Sequence, residues 1–257
     1  MINLTLLSLN VFTFSSLTPL YTVQNLYQPR SSTILNSCFY RYFTNIIFSK
    51  AERHQMIIKK DIFSHILSSA IIFSSEESEN TGSKKIFKAQ NFTSKNHFNN
   101  NDLIGISDLY IANCYFIQCQ SKTYGGGIFV QQECSVTLHE LIFDKCTAKD
   151  GGGGYICRRK NNTDKDGYFS DELLSSINVQ YCCFQKCFTI DDGSKSGFGS
   201  GLILAGQNVK LFYASTTECA ISDLNGNKIK ARGAQFDIQS SEVSSQYLNI
   251  TGGNSKY

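Results

Sequence analysis

Between Leu109 and Ala220 one short pattern is written four times, and no other feature restricts the fold so tightly. Each copy closes on a cysteine (Cys119, Cys146, Cys187, Cys219), and the residues before it fall into columns. Ten positions back stand Leu109, Val136, Ile177 and Val209; eight back stand Ile111, Leu138, Val179 and Leu211. Five back are Cys114, Leu141, Cys182 and Ala214, and three back are Phe116, Phe143, Phe184 and Thr216. Glycines follow each cysteine (Gly125 to Gly127, Gly151 to Gly154, the Gly197 to Gly201 stretch, weakly Gly226). In three copies they lead into an apolar triplet: Ile128-Phe129-Val130, Tyr155-Ile156-Cys157 and Leu202-Ile203-Leu204. A repeat of this period is the signature of a solenoid.

The phase of the columns dictates the unit. Apolar residues two apart describe a strand with one buried face. Leu109 and Ile111 are odd-numbered whereas Cys114 and Phe116 are even, so on one unbroken strand they would face opposite ways. A corner must separate them. The glycines mark a second corner, where positive φ or close backbone approach is needed. Three short strands joined by bends make one coil of a parallel β-helix, whose apolar inner face only the next coil can cover. The pattern predicts an all-β, single-domain solenoid with a degenerate N-terminal part.

The units Phe116-Ile117-Gln118-Cys119…Gly126-Gly127-Ile128 and Phe143-Asp144-Lys145-Cys146…Gly153-Gly154-Tyr155 carry a resemblance. They resemble the polymorphic outer-membrane-protein repeat of chlamydial type, Phe-x-x-Asn followed by Gly-Gly-Ala-Ile. They are more similar still to the Cys-rich versions in large surface-protein families of protists. The chain departs from the pattern with Cys in place of Asn, and it lacks the Ala after the glycine pair; the match covers residues 109–220. The resemblance implies a right-handed parallel β-helix of the pectin-lyase type. It implies a non-enzymatic, cell-surface or secreted protein for adhesion or display, with protein or glycan partners at a cell surface.

Composition narrows the classes. A formal charge of +3 argues against nucleic-acid partners, and the longest basic run, Arg158-Arg159-Lys160, reads as a solvated loop tip. Of ten cysteines, six (Cys114, Cys119, Cys146, Cys182, Cys187, Cys219) hold column positions, where Cys packs as a small hydrophobe. Column neighbours about 4.8 Å apart lie within the Cα range of a disulfide, so bridging is open but not required. The Cys-x4-Cys pairs alternate with Phe and lack converging zinc ligands; His54, His65, His97 and His139 share no ligand spacing.

Residues 1–30 read as an N-terminal cap or a weak signal-like segment, with neither a basic start nor a clean apolar core. The β-helix then spans 31–257. No transmembrane segment is expected, since no run approaches about 20 apolar residues. Over 31–108 the coils are degenerate: Cys38, Tyr40 and Phe43 can be laid on Cys114, Phe116 and Cys119, and Ala70-Ile71-Ile72-Phe73 on the post-glycine strand, with Ser68-Ser69 for glycines. Residues 74–85 and 99–102 read as polar loops. The closing cysteines are 27, 41 and 32 residues apart, which places a loop insertion at 158–175. Solenoid insertions project from one face, often the recognising one. A partial last coil, 242–257, carries Val243, Leu248 and Ile250 at the expected offsets from Gly253. Sequons at Asn3, Asn91, Asn161 and Asn249 matter only if the protein is secreted.

Two constellations carry chemistry. In the insertion, Asn162, Asp164 and Asp166 followed by Gly167 match the first half of a calcium loop, with the Tyr168 carbonyl as a fourth ligand. The closing acid is misplaced, since Leu173 stands where a bidentate Glu belongs, so this is at most a weak calcium site; no other cofactor is expected. The rival reading is a polysaccharide-degrading β-helix enzyme, on fragments that resemble the polygalacturonase pattern: Asn162-Thr163-Asp164, Asp191-Asp192, Gly197-Phe198-Gly199 and Lys228-Ile229-Lys230. Paired carboxylates on neighbouring coils would suit glycoside hydrolysis. Against it stand Phe198 in place of the expected His, the closeness of Asp192 to Gly197, and the position of Asp164 in an insertion.

Overall fold

The computed structural model describes residues 2–14, 18–23, 30–50, 54–74, 107–131, 134–157, 176–191, 199–223 and 235–252. Its strands pair in parallel, each with the equivalent strand of the next coil. The first face runs through Ile2–Leu7, Arg30–Leu35, His54–Lys59, Ser107–Ala112, Cys134–His139 and Ser176–Gln180, then the later halves of Leu202–Phe212 and Phe236–Gln246. The second face runs through Asn10–Phe14, Cys38–Tyr42, Ile62–Ile66, Tyr115–Ile117, Ile142–Asp144, Cys183–Gln185, Ser215–Thr217 and Asn249–Thr251. A return face, Tyr21–Val23, Ile47–Ser49, Ile71–Ser74, Ile128–Gln131 and Gly154–Cys157, ends on the earlier halves of the two long strands. Among the described residues the eight strands of the second face count eight coils of a parallel β-helix. Residues 2–23 are wound as the outermost coil, with Leu4 opposite Ser32 and Val11 opposite Phe39.

The corners explain the parity changes. Between the first and second faces sits one left-handed residue per coil: Ser8, Asn36, Lys60, Asn113, Glu140, Tyr181, Tyr213 and Tyr247, with φ between 53° and 58°. One such residue between extended neighbours bends the chain and swaps the side that faces inward. A second left-handed corner precedes the cysteine column, at Gln118, Lys145, Lys186 and Glu218. It corrects the expected three strands per coil. Phe116 and Cys119 also differ in parity, and the extra turn opens a short third face, Thr147–Ala148, Phe188–Asp191 and Ala220–Asp223, in the later coils.

The core is a set of ladders. Phe39, Phe63, Phe116, Phe143 and Phe184 stack inside, with centroids 5.2, 5.1, 4.7 and 4.7 Å apart and planes within 16°. Cys119, Cys146, Cys187 and Cys219 are buried in the neighbouring column. The glycines serve two needs. Gly125, Gly151 and Gly199 adopt positive φ. Gly127 and Gly153 give room for the ring ladder: a Cβ there would lie 2.8 Å from the Phe143 ring and 2.6 Å from that of Phe184.

In the first coils the register differs by one from the cysteine-based alignment. Phe39 pairs with Phe63, and Phe63 with Phe116, so Phe39 rather than Tyr40 belongs to the phenylalanine column. Ser37 and Asp61 stand in the Cys114 column, and Tyr42 pairs with Ile66; Phe43 is 57% exposed. Cysteine matched to cysteine misleads here, because a column fixes which way a residue faces and not what it is. The post-glycine strand is placed as expected, with Ile71 opposite Ile128.

Polar groups enter this part of the core. His54 is fully buried, its Nδ1 2.9 Å from Ser49 Oγ and its Nε2 2.8 Å from Ser32 Oγ, which in turn meets the Tyr21 hydroxyl. Asp61 is fully buried as well; its Oδ1 accepts from the Ser37 N–H, and its Oδ2 has no partner among the described residues. Burial pushes its carboxyl up to about 6, against the lowering pull of hydrogen bonds from Ser37 and Lys59.

Candidate recognition site at the first corner

The left-handed corner turns its side chain away from the core, and in three consecutive coils that side chain is a tyrosine. Tyr181, Tyr213 and Tyr247 are 50%, 47% and 69% exposed. Their rings stack in parallel, 4.8 and 4.7 Å apart with planes within 8°. The coil spacing imposes this arrangement: residues at one offset on neighbouring coils sit about 4.8 Å apart, the separation of two stacked rings.

The tyrosine row stops at Tyr181, because the same column upstream holds Glu140 and Asn113. On that side an open groove of about 250 Å³ is lined by Asn113, Tyr115, Glu140, Ile142 and Tyr181. Tyr115 and Ile142 face each other in register on the second face, 45% and 37% exposed. His139 meets the Tyr181 ring edge-on at 5.5 Å and has its Nδ1 3.9 Å from Glu140 Oε1. The groove thus combines aromatic and aliphatic surface with one amide and one carboxylate. Sites of this make-up take a ligand by apolar contact and orient it with a few polar groups. Tyrosine adds a large, rigid, amphipathic contact at little entropic cost.

The calcium candidates Asn162, Asp164, Asp166 and Tyr168 lie outside the described residues. The segment that holds them leaves from Gly154–Cys157 and re-enters at Ser176–Gln180, the corner between return and first faces. Of the enzyme-like fragments, Asp192, Gly197, Phe198, Lys228, Ile229 and Lys230 also lie outside. The Asp191 backbone is described, and its register partner on the next coil is Asp223, which sequence reading overlooked. Among the described residues no cluster of three or more His, Cys, Asp or Glu is placed to hold a metal ion. No helix among them is long and apolar enough to cross a membrane.

None of the ten cysteines is in a disulfide. In the closing column each Sγ lies near the carbonyl of the preceding coil's phenylalanine or its equivalent: Cys119 to Phe63 at 3.5 Å, Cys146 to Phe116 at 3.3 Å, Cys187 to Phe143 at 3.6 Å and Cys219 to Phe184 at 3.3 Å. Burial raises the Cys119 and Cys187 thiols, and pushes Cys114 and Cys182 up to about 12. Such thiols pack rather than react.

The tyrosine corner was not picked out from sequence. Its signal was present, as tyrosine six positions before the closing residue in three successive copies (Cys187, Cys219, Gly253). The chain matches no family model, no curated protein and no solved structure.

Proposed function

We propose that this protein is a non-enzymatic β-helix of the adhesin or display type, acting at a cell surface or outside the cell. It holds a protein or glycan partner against its first corner. The observation that carries the reading is the exposed tyrosine row ending in the Asn113–Glu140 groove. Half-exposed aromatic rings in fixed register cost stability nothing in the core and offer contact area outside it. The test is binding of the labelled chain to immobilised neutral and acidic glycans and to fixed epithelial cells. Binding that falls at least tenfold in Tyr115→Ser/Tyr181→Ser, with the circular dichroism of the fold unchanged, supports the reading. Undiminished binding, or none by the parent chain, sinks it.

One observation favours a second reading, a polysaccharide-cleaving enzyme: the register of Asp191 with Asp223 on neighbouring coils. Two aspartates at one offset on neighbouring coils are the residue type that glycoside hydrolysis uses. Reducing-end and unsaturated-product assays on polygalacturonate decide it, with Asp191→Asn and Asp223→Asn as controls. Turnover abolished by either substitution would replace the binding reading.

A further inference from the structure

The tyrosine row ends in the middle of the β-helix, at Tyr181. Tyr213 is stacked on both faces, by Tyr181 at 4.8 Å and by Tyr247 at 4.7 Å. Among the described residues Tyr181 has a parallel ring on one face only; one coil upstream the column holds Glu140, and one coil beyond that Asn113. Tyr181, Glu140 and Asn113 line the groove together. Coils flank it on both sides, with Lys60 next to Asn113 in the column and Tyr213 next to Tyr181. Columns advance by about 4.8 Å per coil, so the groove side of Tyr181 suits one planar group at the spacing of the row itself.

The fixed charge of the groove is negative. Glu140 is half exposed, and the His139 imidazole lies 3.9 Å from its carboxylate. Among the described residues no lysine or arginine pairs with Glu140. Lys60 stands two coils off, about 9.6 Å along the column, and the Lys59 ammonium lies over the Tyr110 ring instead. The Asn113 side chain has no hydrogen-bond partner among the described residues. Tyrosine ring faces add to the negative potential, because the π-cloud carries partial negative charge. An anion is repelled here, and a neutral sugar leaves the carboxylate uncompensated. A cation compensates it and is attracted by the ring face as well. Of the two side-chain cations, a guanidinium matches the groove better: it is flat, weakly hydrated, and pairs with a carboxylate through two parallel N–H bonds. An ammonium is compact and strongly hydrated, and it does not stack.

We infer that this groove takes an arginine side chain of a partner protein. The guanidinium lies flat on Tyr181 as the next layer of the row and donates two N–H bonds to the Glu140 carboxylate, and the Asn113 carbonyl accepts a third. The methylene stem runs over Tyr115 and Ile142, the half-exposed pair in register on the second face. The inference deepens, and rests on, the reading of this groove as the place where a partner is held.

The experiment is heteronuclear NMR of the isotope-labelled full chain, titrated into the millimolar range with a blocked Gly-Gly-Arg-Gly-Gly peptide. Rival probes are the same peptide with citrulline, which keeps the shape and loses the charge, the same peptide with lysine, and the neutral glycan cellotetraose. The arginine peptide should shift the backbone amides of Asn113, Glu140 and Tyr181 saturably. The lysine peptide should bind more weakly, and the other two should leave those amides in place. Glu140→Gln and Tyr181→Ser should each weaken the arginine peptide by about tenfold or more, whereas Tyr181→Phe, which keeps the ring face, should bind as the parent does. Both positions are exposed, and the rest of the spectrum reports that the fold is kept. No saturable shift from the arginine peptide overturns the inference, as does equal binding of the citrulline or lysine peptide, or an affinity unchanged in Glu140→Gln. Tighter binding of cellotetraose overturns it in favour of a glycan. An inert arginine peptide beside a parent chain that still binds cells through Tyr115 and Tyr181 overturns this inference and spares the display reading. A peptide held in the groove by a chain that binds neither cells nor glycans supports the arginine site and sinks the display reading.

Discussion

The coils of residues 30–74 and those of residues 107–223 share one backbone and differ in what fills it. In the later coils the inner columns hold Leu, Ile, Val, Phe and Cys, and glycines lie over the rings. In the earlier ones Ser37 and Asp61 stand where Cys114 and Leu141 do, Tyr42 and Ile66 replace the closing cysteine, and His54 is held between two serines. The glycine column reads Ile46, Ala70, Gly127, Gly153 and Gly201 from coil to coil, and the phenylalanine spacing follows it: 5.2 and 5.1 Å at the bulky end, 4.7 Å at the glycine end. Side-chain volume in one column is exchanged for ring separation in the next. The coil tolerates either solution because its corners are set by single left-handed residues in both regions.

Four measurements break or sharpen this contrast, beginning with the largest. Phe143→Ala removes a ring sandwiched at 4.7 Å on both sides and should cost about 3–5 kcal/mol. Phe39→Ala, with a ring on one side and Val11 on the other, should cost less; equal losses in denaturant titration would erase the distinction between tight and loose ladders. Next comes Gly153→Ala, whose Cβ would stand 2.6 Å from both the Gly201 carbonyl and the Phe184 ring. Overpacking there should cost about 2–3 kcal/mol, whereas Ala70→Gly in the looser coil should cost under about 1 kcal/mol. Thermal melts of the two variants compare them directly.

The third concerns Asp61, whose carboxyl is raised from 3.8 to about 6 by burial. Between those values the folded chain binds a proton that the unfolded chain has lost. Stability must therefore fall as pH climbs from about 4 to about 6 and stay lower above it. Asp61→Asn should remove that slope and raise stability at pH 7 by about 1–2 kcal/mol, less than the full shift because its amide brings new buried donors. An unchanged slope in urea titrations between pH 4 and 7 would acquit Asp61. The smallest effect tests what the two regions share. Lys60→Gly and Glu140→Gly each relieve a left-handed residue, at φ 58° and 54°. Each should gain about 0.5 kcal/mol, the relief being offset in part by the entropy of glycine; unequal gains would mean that the corners are not equivalent.

These comparisons also explain what could be read from sequence. The offsets of ten, eight, five and three before each closing cysteine were enough for the coil, the ring ladder and the buried cysteines, because β geometry turns fixed spacing into fixed direction. The earlier coils slipped by one residue since identity was used where only direction counts, as Phe39 and Ser37 show. The second corner was hidden because Gln118, Lys145, Lys186 and Glu218 look like ordinary surface residues; only the odd spacing from Phe116 to Cys119 betrays it. The first corner was legible from parity, but its tyrosine row was not, because the residue that makes the bend is no glycine to announce itself.

That first corner has one more consequence, for how such a chain can change over generations. Serine, asparagine, lysine, glutamate and tyrosine all satisfy its bend, from Ser8 to Tyr247. The position specifies an angle and leaves the letter open, so exchanges among exposed side chains there should move stability by no more than about 0.5 kcal/mol. Mutational drift can thus rewrite this outward row one coil at a time while the columns behind it hold still. Whatever the row presents to its surroundings is free to diversify at the pace of single substitutions, on a ruler whose divisions do not move.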